Sequence, residues 1–167
     1  TRGIDRLYNY VNHGKFQDLP ITGTNGVPYA EEIIAAAPQV IVMSKSANAD
    51  ADDLQAQTST PVVVIPGSDT TLGDNAYETI RILGQLYSME DRAEELTTYL
   101  KGVQEDLDSR TKNIPDSEKP SVYVAGVSFR GLHGFEGREA GYGPLKLIHA
   151  NNLADTTGKT GAFDIDL

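Results

Sequence analysis

Two short apolar runs, Val40-Ile-Val-Met43 and Pro61-Val-Val-Val-Ile65, flank a stretch that reads as a helix, and this limits the fold more than any other feature. Continuous runs rich in β-branched residues suit strands buried on both faces, as in parallel sheets. Parallel neighbours need a crossover connection, and the crossover is right-handed. The spacing predicts a helix from Tyr29 to Ala37 that Pro38 ends, and a second from Asn48 to Thr58 with Asn48 or Asp50 as cap. A third is expected from Asp74 to Tyr87, with Ala76, Ile80, Leu83 and Tyr87 on one face. Upstream, Ile4, Leu7, Tyr8 and Val11 have helical spacing before Gly14, and Pro20-Ile-Thr-Gly23 reads as a short strand. Alternation of strand and helix points to a doubly wound, Rossmann-like lobe with a parallel sheet.

A longer element follows. Ser88 is the expected N-cap, with Asp91 in the first turn. Ala93, Leu96, Leu100, Val103 and Leu107 then recur at steps of three and four toward Lys112. Such a helix of roughly 24 residues is about 36 Å long, enough to bridge two lobes. "NIPDSEKP" reads as a linker, and Ser121-Val-Tyr-Val-Ala125 as a buried strand. Next come the Gly-rich loop "GVSFRGLHGFEGREAGYG" and a helix beginning at Pro144 and reaching about Ala150. "NNLADTTGKTGAFDIDL" reads as loop, so no second strand is expected in this lobe. The expected organisation is a first α/β lobe over 1–87, an interlobe helix over 88–114 and the start of a second, incomplete α/β lobe over 115–167.

Composition removes several functions. A formal net charge of -10 speaks against nucleic acid as a partner. With no cysteine there is no thiolate metal site, disulfide or cysteine nucleophile. The P-loop pattern is absent, and "GLHGFEG" lacks the strand–GxGxxG–helix context of a dinucleotide site. His13, His133 and His149 form neither HxxxH nor HExxH. "GVSFRG" does not have the spacing of a serine nucleophile elbow, although a hydrolase using Ser128 and His133 stays open as an alternative.

Binding residues are expected where a doubly wound sheet takes ligands, beyond the carboxyl ends of its strands. "TGTNGV", "SKSA" and "PGSDTT" are small and polar there, and supply Asn25, Ser44, Lys45 and Ser68. The Gly-rich loop supplies Ser128, Arg130, His133, Arg138 and Tyr142. Guanidinium groups match carboxylates and oxyanions in bidentate fashion, and a tyrosine can stack, donate or, as phenolate, bind iron. Two arginines, a lysine and a histidine across an interlobe cleft favour an anionic ligand.

At this point the chain resembles a known family, the substrate-binding proteins of ABC importers for iron complexes, haem, siderophores and cobalamin. "YAEEIIAAAPQVIVM" is similar to the family's glutamate, aliphatics, Pro-Asp and strand, with Gln39 in place of the aspartate. "TIRILGQLYSMEDRAEELTTYL" resembles the entry to its bridging helix through Leu83, Gly84, Glu90, Arg92 and Ala93. "VYVAGVSFRGLHGFEGREAGYGPLKLIHANNLAD" resembles a subgroup with a Gly-rich binding loop after the second lobe's first strand. The resemblance implies a helical-backbone metal receptor, truncated at both ends. It implies an extracytoplasmic, periplasmic or lipid-anchored binding component with no catalytic residue and no intrinsic cofactor. An iron complex would be the transported ligand, with a metal oxyanion or cobalamin as alternatives. Glu31 matches a glutamate that pairs with an arginine of the membrane permease, the expected protein partner. Tyr142 is the one candidate for direct contact with a metal.

Overall fold

The computed structural model describes residues 7–45, 47, 49–67, 72–127 and 133–165. The chain divides into two compact units, Thr1–Gly67 and Ser68–Leu167. The third predicted helix therefore groups with the second unit, whereas the sequence reading carried the first lobe to residue 87.

The first unit opens with two short helices, α1 (Leu7–Val11) and α2 (His13–Phe16). The strand expected at Pro20–Gly23 forms two residues later, as one arm of a hairpin. Its arms, β1 (Gly23–Thr24) and β2 (Val27–Pro28), pair antiparallel. Asn25 and Gly26 connect them with φ of 53° and 78°. Positive φ at both central positions is what a tight hairpin turn needs, and Asn-Gly adopts it at least expense. Helix α3 (Ala30–Ala36) ends where Ala37 turns left-handed and its N–H reaches the Ile33 carbonyl at 3.1 Å. Pro38 then prevents any continuation.

Strand β3 (Ile41–Ser44), helix α4 (Ala51–Thr58) and strand β4 (Val62–Ile65) make the expected crossover. The two strands pair in parallel over four residues, from Ile41 opposite Val62 to Ser44 opposite Ile65. Asp50 caps α4, its carboxylate accepting the Asp52 and Asp53 N–H groups at 2.9 and 3.0 Å. Leu54 from α4 and Ile33 from α3 are buried at 4% and 5% exposure and form the apolar centre of this unit. Buried Thr58 satisfies its hydroxyl on the Leu54 carbonyl at 2.8 Å.

In the second unit, α5 (Asp74–Leu86) packs against α6 (Glu90–Thr111). The approach is close at Gly84: a methyl group there would lie 2.5 Å from the Ala93 Cβ. Tyr77 donates its hydroxyl to Gln104 Oε1 across the pair at 2.8 Å. Ser88 is not the N-cap of α6. Its φ of 53° reverses the chain, Met89 takes the position before the helix without a side-chain cap, and the Met89 N–H bonds the Gly84 carbonyl at 2.7 Å.

The C-terminal part departs most from expectation. Strand β5 covers only Ser121–Val122, and the Gly-rich stretch itself forms β6 (Gly137–Ala140). Helix α7 (Gly143–Leu147) has Pro144 in its first turn, and is followed by β7 (Asn151–Asn152), a 3-10 turn (Leu153–Thr157) and β8 (Gly161–Asp164). β5 and β7 pair in parallel, while β6 and β8 pair antiparallel with Gly137 opposite Asp164 and Arg138 opposite Phe163. The expectation that no further strand follows Ala125 is thus corrected. Its physical reason is that these strands are short and polar, so no apolar run announces them. Among the described residues the strands form four two-stranded pairs, and no single doubly wound sheet is continuous through them. The class remains mixed α/β with parallel pairs and a long helix. No described helix is long and apolar enough to cross a membrane.

Candidate functional site

Ser68, Ser128 and Arg130 lie outside the described residues. Of the remaining expected residues in the first unit, Asn25 sits exposed at the hairpin tip and Ser44 half-buried at the carboxyl end of β3. Both line a pocket of about 520 Å³ with Thr22, Val27 and Met43. Lys45 follows β3, its N–H bonded to the Ile65 carbonyl at 2.9 Å and its side chain exposed outside that pocket's lining. Glu31 stands exposed in the first turn of α3.

The second unit brings His133 and Arg138 to one pair of strands. Val127 N–H bonds the Gly137 carbonyl at 3.1 Å, and Ile165 N–H bonds the Glu136 carbonyl at 3.2 Å, so the turn before β6 is tied on both sides. His133 directs Nδ1 to both carboxylate oxygens of Asp164, at 2.9 and 3.1 Å. This contact is possible because Gly137 has no side chain: a Cβ there would lie 2.6 Å from the His133 Cβ. Glu136 turns its carboxylate back to accept the Gly134 N–H at 2.9 Å. The backbone N–H groups of Glu136 and Gly134, helped by the His133 charge, hold its pKa below the ordinary glutamate value.

Arg138 is buried, at 8% exposure. Its guanidinium carbon lies 4.0 Å from the centroid of the Tyr123 ring, and Nη2 donates to the Tyr123 hydroxyl oxygen. The Tyr123 hydroxyl in turn donates to the Phe135 carbonyl at 2.7 Å, and the two rings stack with centroids 4.8 Å apart and planes 19° apart. Nε of Arg138 is buried with no hydrogen-bond partner, and no described carboxylate pairs with the group. A buried guanidinium without a counter-ion is unfavourable, which makes this an attractive place for an anion. Tyr142 lies half-buried ahead of α7, next to Gly141 with its φ of 71°.

Sequence reasoning missed three residues of this cluster. By sequence Tyr123 reads as strand core, Phe135 as loop, and Asp164 as part of a trailing loop. Asp164 is brought to His133 by the pairing of β6 with β8, and Tyr123 meets Arg138 from 15 residues upstream, so neither contact is local in sequence. A second histidine, His149, is tied to the helix layer: Nε2 meets Asp108 at 2.9 Å, and Lys112 meets the same carboxylate at 2.9 Å. Among the described residues no group of three or more His, Asp or Glu could hold a metal ion.

The family described as "Periplasmic binding protein" matches residues 3–133. A similar curated protein is the uncharacterised ABC transporter substrate-binding lipoprotein YvrC of Bacillus subtilis, 24% identical over 131 residues, or 77% of this chain and 41% of that protein. Among solved structures, the molybdate-bound periplasmic protein MolA of Haemophilus influenzae matches with a TM-score of 0.71 and 17% identity, over 95% of this chain and 53% of its own. The periplasmic haem-binding protein HutB of Vibrio cholerae matches with a TM-score of 0.65 and 19% identity, over 91% of this chain and 57% of its own. The chain therefore spans about half the length of the proteins it matches.

Proposed function

This chain belongs to the periplasmic binding protein family, an extracytoplasmic class, and from that premise we propose that it is part of the solute-binding component of an ABC importer. The family match over residues 3–133 is the observation that carries the reading. The family is one of solute-binding proteins, so the protein is a binder and not an enzyme; a hydrolase built on Ser128 and His133 has nothing further in its favour.

The proposed cargo is an iron complex of the siderophore or haem type. Support for a negatively charged ligand comes from Arg138, a buried guanidinium with an unsatisfied Nε and no described carboxylate partner. His133, held on the same pair of strands, and Asn25, Ser44 and Lys45 in the first unit, are the polar groups proposed to take part, together with Ser68, Ser128, Arg130 and Tyr142. The same positive character would accept a metal oxyanion, which is the second reading; cobalamin has less to recommend it in a chain with no Trp. The proposed protein partner is the permease, with Glu31, exposed at the start of α3, as its docking residue. Attachment to the membrane would be through that permease or a lipid anchor.

A thermal-shift series on the purified chain tests the cargo. Ferric siderophores, haem, cobalamin and molybdate are each added, and the ligand retained from expression is identified by mass spectrometry with metal analysis. Stabilisation by a ferric complex, growing with concentration as mass action requires, is the expected result. Stabilisation by none of them overturns the reading.

A further inference from the structure

The turn Gly134–Gly137 is built more firmly than a surface loop requires, and it displays an aromatic ring. Gly126 N–H bonds the Gly134 carbonyl at 3.1 Å, the Glu136 carboxylate accepts the Gly134 N–H, and the Tyr123 hydroxyl holds the Phe135 carbonyl. Phe135 is nonetheless 64% exposed. A solitary exposed apolar side chain is ordinary and asks for no explanation. Phe135 differs because it does not stand alone. One face of its ring rests on Tyr123, and Tyr123 also carries the buried Arg138 guanidinium against its own ring. The result is a column of phenyl, phenol and guanidinium whose outermost ring is open.

Such a column has a chemical preference. An aromatic ring fixed before binding loses little freedom when a second flat π-system settles on it. Offset stacking then adds attraction beyond the area buried. A compact tetrahedral oxyanion has no face to offer and gains nothing from the ring.

We propose that the turn Gly134–Gly137 is a stacking platform, in which Phe135, backed by Tyr123 and Arg138, receives a flat conjugated ring of the transported ligand. This rests on the receptor reading above and narrows its cargo to ligands with a planar conjugated face, porphyrin or catecholate. Phe135 is the contacting residue; Tyr123 is a positioning residue.

The test titrates the chain with three probes: ferric protoporphyrin IX, a ferric tricatecholate and molybdate. Wild type is compared with Phe135→Ala, Phe135→Tyr and Tyr123→Phe. Because Phe135 is exposed, its replacement leaves folding intact, checked by circular dichroism. Phe135→Ala is expected to weaken the porphyrin or the catecholate complex about tenfold, the order found for a base stacked on an aromatic side chain. Phe135→Tyr restores the affinity, and Tyr123→Phe, which frees the Phe135 carbonyl but keeps the ring, gives a smaller loss. Equal affinity of Phe135→Ala and wild type for the planar probes overturns the platform and leaves the receptor reading standing. So does a chain that binds molybdate alone. A wild-type chain that binds none of the three overturns both.

Discussion

The two parallel strand pairs of this chain are held together by different means. In the first unit β3 and β4 run side by side for four residues of Val, Ile, Met and Ser, and Ile33 and Leu54 cover them. In the second unit β5 and β7 share only two pairs, Ser121 with Asn151 and Val122 with Asn152. Here side-chain amides replace apolar contact. Asn151 Nδ2 donates to the Asp116 and Lys119 carbonyls, both at 3.2 Å. Asn152, buried at 7% exposure, donates to the Glu139 carbonyl and to Asp155 at 3.0 Å each and accepts the Ala154 N–H at 3.2 Å. One pair is covered by hydrocarbon; the other is laced by hydrogen bonds. The strands that carry the candidate site belong to the laced kind.

The largest expected effect is on the apolar pair. Leu54→Ala removes the most buried leucine of the first unit and leaves a cavity beside Ile33, at a loss of about 3 kcal/mol. Hydrogen exchange read by mass spectrometry should show faster exchange in β3 and β4 and unchanged exchange in β6 and β8. If β6 and β8 open to the same degree, the two kinds of construction do not fail separately and the comparison breaks.

Asn152→Leu inverts the experiment. It preserves bulk but leaves the Glu139 carbonyl and the Ala154 N–H without their partner. The buried Ala154 N–H is stranded at about 1–3 kcal/mol, while the half-buried Glu139 carbonyl can turn to water, so a loss near 2 kcal/mol is expected. Exchange should rise in β6, β7 and the 3-10 turn, not in β3 or β4. A variant as stable as the parent would show that Asn152 fills space rather than laces strands.

This contrast also explains what could be read from the sequence. β3, α4 and β4 were legible because apolar runs, an Asp50 cap and a proline punctuate them in the order the fold uses. β6, β7 and β8 were not, since Gly137-Arg-Glu-Ala140 and Asn151-Asn152 become strands only when tertiary partners satisfy their polar groups. The hairpin at Asn25-Gly26 does carry a local turn signal, but its small polar residues read equally as a ligand loop. In the candidate site the residue types of His133 and Arg138 were visible. Their partners Asp164 and Tyr123 lie 31 and 15 positions away, the first set by the register of β6 with β8 and the second by tertiary packing, and a single sequence displays neither.

A smaller effect is expected at Gly137. A methyl group there would sit 2.6 Å from the His133 Cβ and 2.9 Å from the Val127 carbonyl oxygen. His133 or the backbone must shift, and Gly137→Ala should lose about 1–2 kcal/mol, as overpacking does. Gly102→Ala is the control, because nothing lies within 4 Å of the added carbon and alanine favours the helix. The signature that separates a local clash from general damage is the His133–Asp164 contact. Its loss should move the His133 ring-proton resonances, read by proton NMR, relative to the parent.

The smallest effect is a dependence on acid at the turn before β6. Glu136 has its pKa lowered below the ordinary 4.5, first by its own backbone N–H and that of Gly134, and then by the His133 charge. A carboxylate whose pKa is depressed in the folded state contributes stability that is fully present above its unfolded value. That contribution is lost as the pH falls through the folded one. The Gly134 amide should therefore begin to lose protection as the pH drops below 4.5, while β3 and β4, which have no such carboxylate in their pairing, hold. Asp108 gives an internal reference: Lys112 and then His149 lower its pKa from 3.8, so its tie to His149 should weaken only as the pH falls below that value. Glu136→Gln retains an acceptor for the Gly134 N–H but no charge, and its protection should be flat across the same range. If the variant loses protection along with wild type, the acid response comes from elsewhere, and the laced turn owes its firmness to its backbone bonds rather than to Glu136.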